Sequence, residues 1–185
     1  MARRLTRITT RTGDQGTSGL ADGSRLAKSD PAFEALGSVD ELNSALGAVI
    51  ALLPDAHALR PALLDVQSRL FDLGGALALP GVPHALTTAI ARIEALISEH
   101  NAALPHLREF VLPGGATTAA QMHVARAAAR RAERMVWALL EARSGDYDVS
   151  LGVYLNRLSD LCFVLARVLN REAGVPEILW QRDEV

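Results

Sequence analysis

The chain of 185 residues has little cysteine and few aromatic residues, and each shortage excludes a class of protein. A single cysteine, Cys162, rules out an intramolecular disulfide and a cysteine-rich metal site. Its apolar neighbours predict that it is a small core residue. Aromatic residues make up only 4% of the chain, while alanine and leucine are abundant, which favours helix over strand.

Net charge is also small, because 19 lysine and arginine residues face 21 aspartate and glutamate residues. The chain therefore lacks the overall basic character of a nucleic-acid-binding domain, and any site for a polyanion must be local. No apolar run reaches transmembrane length, and the basic start (Arg3, Arg4, Arg7) lacks the apolar stretch of a secretory signal. We expect a cytoplasmic protein with no nucleic-acid or membrane partner.

Apolar residues recur at helical spacing along most of the chain, and no segment alternates convincingly with period two. The fold class expected is all-α, a five-helix antiparallel bundle with up-and-down order and a loop before it. One domain, 1–185, comprises an N-terminal loop (1–30), the helical bundle (31–172) and a C-terminal tail (173–185). The expected helices cover about residues 31–53, 58–79, 87–102, 117–143 and 149–173. Thr117 or Thr118 is expected to cap the fourth, and Thr118 would form a capping box with Gln121.

The fourth predicted helix carries Arg126, Arg130 and Arg134 four residues apart, with Arg131 beside them. Side chains at that spacing share one helix face, where like charges repel by a few tenths of a kcal/mol per pair. Two explanations remain open. The face is solvated and balanced by carboxylates such as Glu133, or it binds a polyanion, since planar guanidinium groups match phosphate oxygens.

The segment from Thr10 to Gly19 has glycines at every third position among hydroxyl side chains and Arg11. Such a segment can turn its backbone N–H groups toward an anion. It is neither a Walker A loop nor a dinucleotide-binding fingerprint, because no strand and helix flank it in the required order. The alternative is a flexible polar tail. Lys28, just beyond, either reaches the same anion or is solvated.

Four further polar or aromatic features interrupt the apolar pattern. Asp40 and Glu41 form a solvated face or balance the arginines. His123 is either a structural or solvated residue, the commoner case for a lone histidine, or a catalytic one. Asn156 needs a partner that is either structural or a ligand. Phe110, before Pro-Gly-Gly, is either a plug of its loop or a residue that approaches a ligand.

Five motifs, taken together and in order, resemble the PduO-type ATP:corrinoid (ATP:cob(I)alamin) adenosyltransferases, with the likeness extending over about residues 6–180. Any one motif alone is only modest evidence for this family. They are residues 10–16 (TRTGDQG), 37–44 (GSVDELNS), 110–115 (FVLPGG), 123–134 (HVARAAARRAER) and 154–160 (YLNRLSD).

The resemblance implies transfer of the 5′-deoxyadenosyl group of ATP to the cobalt of a reduced corrinoid, cob(I)alamin or a relative, which gives adenosylcobalamin and triphosphate. It implies a homotrimer with active sites between subunits, and Mg²⁺ on the phosphates with Glu133 as a candidate ligand. A reductase and a downstream cobalamin-dependent enzyme are the further partners expected.

The resemblance also implies that residues 1–30 are an N-terminal ATP-binding (nucleotide-binding) loop, and it implies roles for individual residues. Phe110 is expected to pack under the corrin ring, and Asp40 and Arg126 to pair at the subunit interface. The catalytic set is Asp40, Arg126, Arg130 and Phe110. The ATP-binding set is Thr10, Arg11, Thr12, Gly13, Ser18, Gly19, Lys28, Arg130, Arg131, Ala132, Glu133, Arg134 and Asn156.

Two other functions fit the motifs when each is taken alone. One is a module that binds a nucleotide or corrinoid without turnover. The other is a structural bundle whose arginine face makes an oligomer interface.

Overall fold

A computed structural model of the chain describes residues 9–181, and within them five helices and one small sheet. The predicted mostly helical fold is confirmed. The elements are β1 (Thr17–Gly19), β2 (Arg25–Ala27), α1 (Pro31–Leu52), α2 (Arg60–Leu77), α3 (Thr87–Ala102), α4 (Thr117–Ala142) and α5 (Ser150–Glu172).

The helices pack around a core made mostly of leucine, valine and alanine. α4 and α5 pack along each other, α1 packs on the other side of α4, and α2 and α3 cover α1 and α5 respectively. Alanines such as Ala125, Ala129 and Ala132 are fully buried on α4, and their small side chains allow its neighbours to approach closely. α4 therefore lies at the centre of the bundle, with its arginine face turned outward.

α1 begins at residue 31, as predicted, where the Asp30 carboxylate accepts a hydrogen bond from the Ala32 N–H (2.9 Å) and Pro31 occupies the first turn. α1 also has the length and mean hydropathy (1.2) of a membrane-spanning helix. The expectation that no apolar stretch reaches that length is therefore wrong for α1. Nevertheless, α1 packs against α2 and α4, and 44% of its apolar window is buried inside the protein.

The start of α4 differs from the predicted capping box of Thr118 and Gln121. The N-cap is Ala116, and no side chain caps the helix from within. The Ala116 N–H instead donates to the side chain of Asn170 on α5 (2.8 Å). A tertiary contact has replaced the local one.

The sheet was not predicted from the sequence. β1 and β2 pair antiparallel, with Ser18 opposite Leu26, and the turn between them is closed by Asp22, which accepts from the Ser24 N–H (2.8 Å). Leu20 is buried, and Leu26 packs against the bundle core. This part of the N-terminal segment, residues 9–30, is thus held by packing as well as by its own hydrogen bonds.

Candidate functional site

The loop of the N-terminal segment brings Lys28 against the glycine-rich turn. Arg11 adopts φ +60°, and the Lys28 ammonium lies 3.1 Å from the position that a Cβ on Gly13 would occupy. The backbone N–H of Lys28 donates to the Gly16 carbonyl (2.8 Å). A side chain at Gly13 would displace Lys28, so the turn and the lysine form one exposed, cationic unit with hydroxyls from Thr10 and Thr12.

Two contacts join this segment to the end of the bundle. The Ala21 N–H donates to the carbonyl of Ala78, just after α2, at 3.0 Å. At the start of α1 the Asp30 carboxylate accepts two hydrogen bonds from the Arg143 guanidinium, at 2.7 and 2.8 Å. The segment is therefore anchored at the end where α4 finishes.

The arginine row, defined as Arg126, Arg130 and Arg134, runs along the outer face of α4. Arg126 is half-buried, whereas Arg130 and Arg134 are exposed. Eight residues of helix span about 12 Å, so the row extends over two turns. An Arg134 guanidinium N–H donates to the backbone carbonyl of Arg130 (3.0 Å), and the Arg130 side chain is exposed.

Beside the row, Arg131 forms an ion pair with Glu41 of α1. Of the two acidic residues Asp40 and Glu41, Glu41 thus balances one arginine. This is one of the two alternatives left open by the sequence. Ala132 is fully buried in the core. Its side chain packs the bundle core, and its place in the ATP-binding set stays a prediction.

Asn156 lies level with the Arg134 end of the row. α4 and α5 are antiparallel, with Trp137 against Gly152 at one end and Arg126 and Phe163 in one cleft toward the other. This register puts Asn156 at the level of Glu133. The Asn156 side-chain oxygen accepts from Arg157 (2.9 Å), and Arg157 also pairs with Glu94 at 2.9 Å. Asn156 therefore has a structural partner, and its amide nitrogen remains a donor available at this level.

A cleft of about 480 Å³ opens at the Arg126 end of the row, and we call it the Phe110 cleft. Phe110 is 76% exposed, which excludes the explanation that it plugs the interior of its loop. Phe163 and His123 line the opposite wall. The lining residues are Leu107, Arg108, Glu109, Phe110, Val111, His123, Arg126 and Phe163.

Trp180 also contacts Phe110, and sequence reasoning missed it. Its ring meets the Phe110 ring edge-on, with centroids 6.3 Å apart. Its backbone N–H donates to the Phe110 carbonyl (2.7 Å), and Val111 forms a bridge with Leu179. The chain after α5, predicted as a tail, thus lies along the loop that carries Phe110. The only sequence signal was one of the chain's two tryptophans near its end.

His123 is 4% exposed, and its Nδ1 lies 3.4 Å from Nε of Arg126 in hydrogen-bonding geometry. Burial lowers the pKa of His123, Arg126 lowers it further, and Glu177 opposes both. A neutral imidazole accepts from Arg126 at Nδ1 and keeps its proton on Nε2. Within the part of the chain described, that Nε2 is buried without a hydrogen-bond partner.

Asp40 and Arg126 do not meet within one chain. Asp40 is exposed on α1 and lines a cleft with Leu64 and Phe71 of α2, whereas Arg126 lines the Phe110 cleft. Leu64 is 49% exposed and Phe71 is 74% exposed. Two large apolar side chains are therefore exposed in this cleft, beside the polar Asn43, Ser44, Gln67 and Ser68.

Between residues 9 and 181, no three histidine, cysteine, aspartate or glutamate side chains come together as a metal-binding group. Glu133 is half-buried on α4 beside the row. A divalent cation here would need most of its ligands from a bound anion.

Comparisons with known proteins agree on one family. The model of the cobalamin adenosyltransferase family matches residues 8–169. A cobalamin adenosyltransferase from Cupriavidus metallidurans is 48% identical over 184 residues, covering 99% of this chain and 98% of that one. A corrinoid adenosyltransferase from Mycobacterium bovis is 44% identical, covering 98% of this chain and 96% of its own.

Solved structures agree as well. A variant of the PduO-type ATP:corrinoid adenosyltransferase from Lactobacillus reuteri, complexed with cobalamin and ATP, superposes with a TM-score of 0.90. It is 32% identical and covers 95% of this chain and all of its own. Another variant of that enzyme, complexed with ATP, gives a TM-score of 0.88 at 33% identity and covers 94% of this chain.

Proposed function

The chain belongs to the cobalamin adenosyltransferase family, and on that basis we propose which of its residues bind ATP, bind the corrinoid and assist the transfer. The reaction moves the 5′-deoxyadenosyl group of ATP to the cobalt of a reduced corrinoid. Cob(I)alamin is itself the nucleophile: its cobalt electron pair forms the bond to C5′, and the C5′–O bond breaks with its electrons on triphosphate. The protein therefore needs to supply no nucleophile of its own.

The observation that carries the proposal is the position of the Phe110 cleft at one end of the arginine row. Phe110 and Arg126 line the same cleft, and Arg130 and Arg134 follow along α4. An apolar surface suited to a flat macrocycle thus adjoins a row of cations suited to a polyphosphate. The two substrates must meet at such a junction for cobalt to reach C5′.

ATP is bound by the N-terminal segment and the arginine row. The turn from Thr10 to Gly13, with Lys28 over it, wraps the nucleotide, and Ser18 and Gly19 extend that surface along β1. Arg130 and Arg134 hold the phosphates, where fixed cations stabilise the charge that develops on the leaving triphosphate. Arg131, held by Glu41, and Asn156, level with Glu133, complete the site from α4 and α5.

Phe110 binds the corrin. Its exposed ring, backed by Trp180, presents an apolar face to the lower side of the macrocycle. A ring in that place excludes the lower axial ligand of cobalt, and a four-coordinate Co(II) corrinoid is easier to reduce to Co(I). The electron for that reduction comes from a separate reductase.

The complete site forms between subunits of a homotrimer. Asp40 and Arg126 lie in different clefts of one chain, and an ion pair between them needs a second copy. The exposed Leu64 and Phe71 beside Asp40 supply the apolar surface that a stable interface buries.

Mg²⁺ enters with the ATP phosphates, and Glu133 is the carboxylate on α4 placed to contribute to it. We place the enzyme in the cytoplasm, where a cobalamin-dependent enzyme receives the product. Each of these assignments rests on the family resemblance together with the position of the residues named.

The deciding experiment mixes the protein with MgATP and cobalamin that has been reduced chemically to Co(I), and records the corrinoid absorption spectrum. Appearance of a Co–C species supports adenosyl transfer, and AMP, which lacks the triphosphate leaving group, is the control. Binding of ATP without a spectral change would make the protein a binding module. Neither binding nor change would make it a structural bundle.

A further inference from the structure

Two polar side chains are buried near the end of α5 and have no part in the binding of either substrate described above. Arg167 is 4% exposed and Asn170 is 2% exposed, one turn further along. A buried guanidinium costs free energy unless it is paired, and leucine would pack an ordinary helix face more favourably. Both residues therefore call for an explanation beyond packing.

Arg167 joins three segments of the chain. Its guanidinium donates to both carboxylate oxygens of Glu177, at 2.8 and 3.2 Å, and to the backbone carbonyl of Pro105 at 2.8 Å. Pro105 opens the Phe110 loop, defined as residues 103–116. Glu177 belongs to the C-terminal segment, residues 173–181. One side chain of α5 thus holds the beginning of the loop and the middle of the segment.

Asn170 holds the other end of the loop. Its amide nitrogen donates to the Gly114 carbonyl (3.1 Å), and its side-chain oxygen accepts from the Ala116 N–H (2.8 Å). Gly115 between them has φ +103°, and a Cβ there would lie only 2.0 Å from the Asn170 oxygen. The contact therefore requires glycine at 115, and it fixes the path of the loop into α4.

Between these two anchors, the loop and the segment form a short antiparallel pair. The Leu112 N–H donates to the Ile178 carbonyl (2.8 Å), and the Trp180 N–H donates to the Phe110 carbonyl (2.7 Å). The ring contact of Phe110 with Trp180 lies at the end of this pair. The orientation of the exposed Phe110 ring thus depends on both anchors.

We propose that Arg167 and Asn170 are positioning residues of adenosyl transfer, which from α5 fix the Phe110 loop against the C-terminal segment and so set the geometry of the Phe110 cleft. They act through Phe110 and touch neither substrate. This inference rests on the proposed function, in which the cleft binds the corrin. A displacement of about 1 Å at a reacting centre is enough to reduce a rate about a hundredfold.

Hydrogen exchange on the full-length protein without substrates tests the anchoring. Asn170→Ala, Arg167→Met and Glu177→Gln should each speed exchange of the Leu112 and Trp180 amides, by about tenfold for the first two. Exchange in α1 and α4 should stay unchanged. Glu172→Gln is the matched control, because it removes an equal charge at the end of α5, where Glu172 contacts His57 (3.1 Å). Unchanged exchange of the loop in all three variants would overturn the proposal.

Kinetics of the same variants test the positioning. We expect kcat/KM for the corrinoid to fall ten- to a hundredfold, the KM for ATP to stay within about twofold, and the four-coordinate Co(II) spectrum to weaken. If Arg167→Met unfolds, Glu177→Gln and Asn170→Ala decide the matter. Faster loop exchange with unchanged corrinoid kinetics would overturn the positioning role.

Phe110→Ala, measured alongside, separates this inference from the proposed function. If that variant leaves corrinoid kinetics unchanged, the cleft is not the corrin site and the proposed function of Phe110 fails. The exchange data would still show whether Arg167 and Asn170 hold the loop.

Discussion

The position of Phe110 is explained by a role in binding rather than by a contribution to the stability of the fold. A phenylalanine 76% exposed gains little free energy from burial, so the folding of a single chain does not explain its position. Its backbone carbonyl is held by Trp180 and its ring projects over a cleft shared with Arg126. An ordered backbone that carries an exposed aromatic ring is typical of a binding surface.

Phe110→Ala should therefore change corrinoid chemistry and leave the fold intact. The edge contact with Trp180 and the small buried area together contribute only about 1 kcal/mol to the free energy of unfolding. ATP affinity should stay within about twofold, while the four-coordinate Co(II) spectrum is lost. Adenosylation should slow most when Co(II) must be reduced on the enzyme, and least with Co(I) supplied.

Val149→Ala, at an apolar side chain 61% exposed near the start of α5, is the control for that variant. A strongly destabilised Phe110→Ala protein that kept the four-coordinate spectrum would instead make Phe110 a packing residue.

Arg130→Ala should weaken ATP binding or abolish activity without affecting the fold. The Arg130 side chain is exposed, and a charge-assisted contact contributes roughly 1.5–3 kcal/mol, or about ten- to a hundredfold in the KM for ATP. Arg92→Ala on α3 removes an exposed arginine that is paired with Asp65 (3.2 Å) and serves as the comparison. Equal KM and kcat in Arg130→Ala and the unchanged protein would refute this assignment.

His123 predicts a pH dependence of stability. Its pKa lies below the ordinary 6.5 in the folded chain, so the unfolded chain takes up the proton first as the pH falls. The stabilisation due to neutral His123 is complete above about pH 6.5 and is lost as the pH falls through and below that value. Chemical unfolding of the wild type and His123→Gln between pH 7.5 and about 5 measures the difference, with exposed His84→Gln as control. A difference that does not change with pH would contradict the prediction.

At the scale of elements, the N-terminal segment consists of two parts that differ in what holds them. Residues 17–27 form the hairpin, anchored by buried Leu20 and by the Ala21 bond to Ala78. Residues 10–16 are mostly exposed and held by backbone turns and by Lys28. The first part is held by packing, whereas the second is exposed, with the Thr12 carbonyl bound by Arg25 (2.7 Å), and belongs to the proposed nucleotide site.

Hydrogen exchange with and without MgATP should distinguish the two parts. Amides of residues 10–16 should exchange quickly in the free protein and slow by about tenfold or more on binding, since ligand contacts replace exposure to water. The Leu20 and Lys28 amides, bonded to the Ser24 and Gly16 carbonyls, should already be slow. If residues 10–16 exchange equally under both conditions, the segment is only a tail.

Local pattern predicts the elements whose cause is local. The five helices follow from the spacing of apolar residues, and the start of α1 follows from Asp30 and Pro31. The hairpin was missed because strands of three residues have no measurable periodicity. The cap of α4 was wrong because Asn170, 54 residues further along, satisfies the Ala116 N–H.

The candidate site divides in the same way. The arginine row is a property of helical spacing and was readable from the sequence. The burial of Ala132 and the contact of Trp180 with Phe110 both depend on partners distant in the chain. Local sequence pattern therefore does not predict them. The sequence left open whether Asp40 and Glu41 are solvated or pair with the arginines. The packing of α1 on α4 brings Glu41 to Arg131 and so decides for pairing at Glu41.

At the scale of the whole molecule, the residues of the proposed site are divided between two surfaces of one chain. The Phe110 cleft and the arginine row lie on one side, and Asp40, with the exposed Leu64 and Phe71, lines another cleft. In a closed ring of three identical subunits, each interface joins the first surface of one copy to the second surface of the next. Asp40 of one subunit and Arg126 of its neighbour would then meet at every interface.

Mixing two inactive variants tests this arrangement without a structure of the assembly. Asp40→Ala keeps Arg126, and Arg126→Ala keeps Asp40, so each protein alone should be severely impaired. In a mixed trimer, some interfaces take Asp40 from an Arg126→Ala subunit and Arg126 from an Asp40→Ala subunit. Such an interface has both native residues. Random exchange of subunits at equal amounts makes about one interface in four native, so activity should rise to about a quarter of the unmodified enzyme. The double variant mixed with the unmodified enzyme is the control, since it gives the same one-in-four share of native interfaces. If Asp40 and Arg126 instead served the site within one chain, mixing the single variants would restore nothing, and the intersubunit assignment would be wrong.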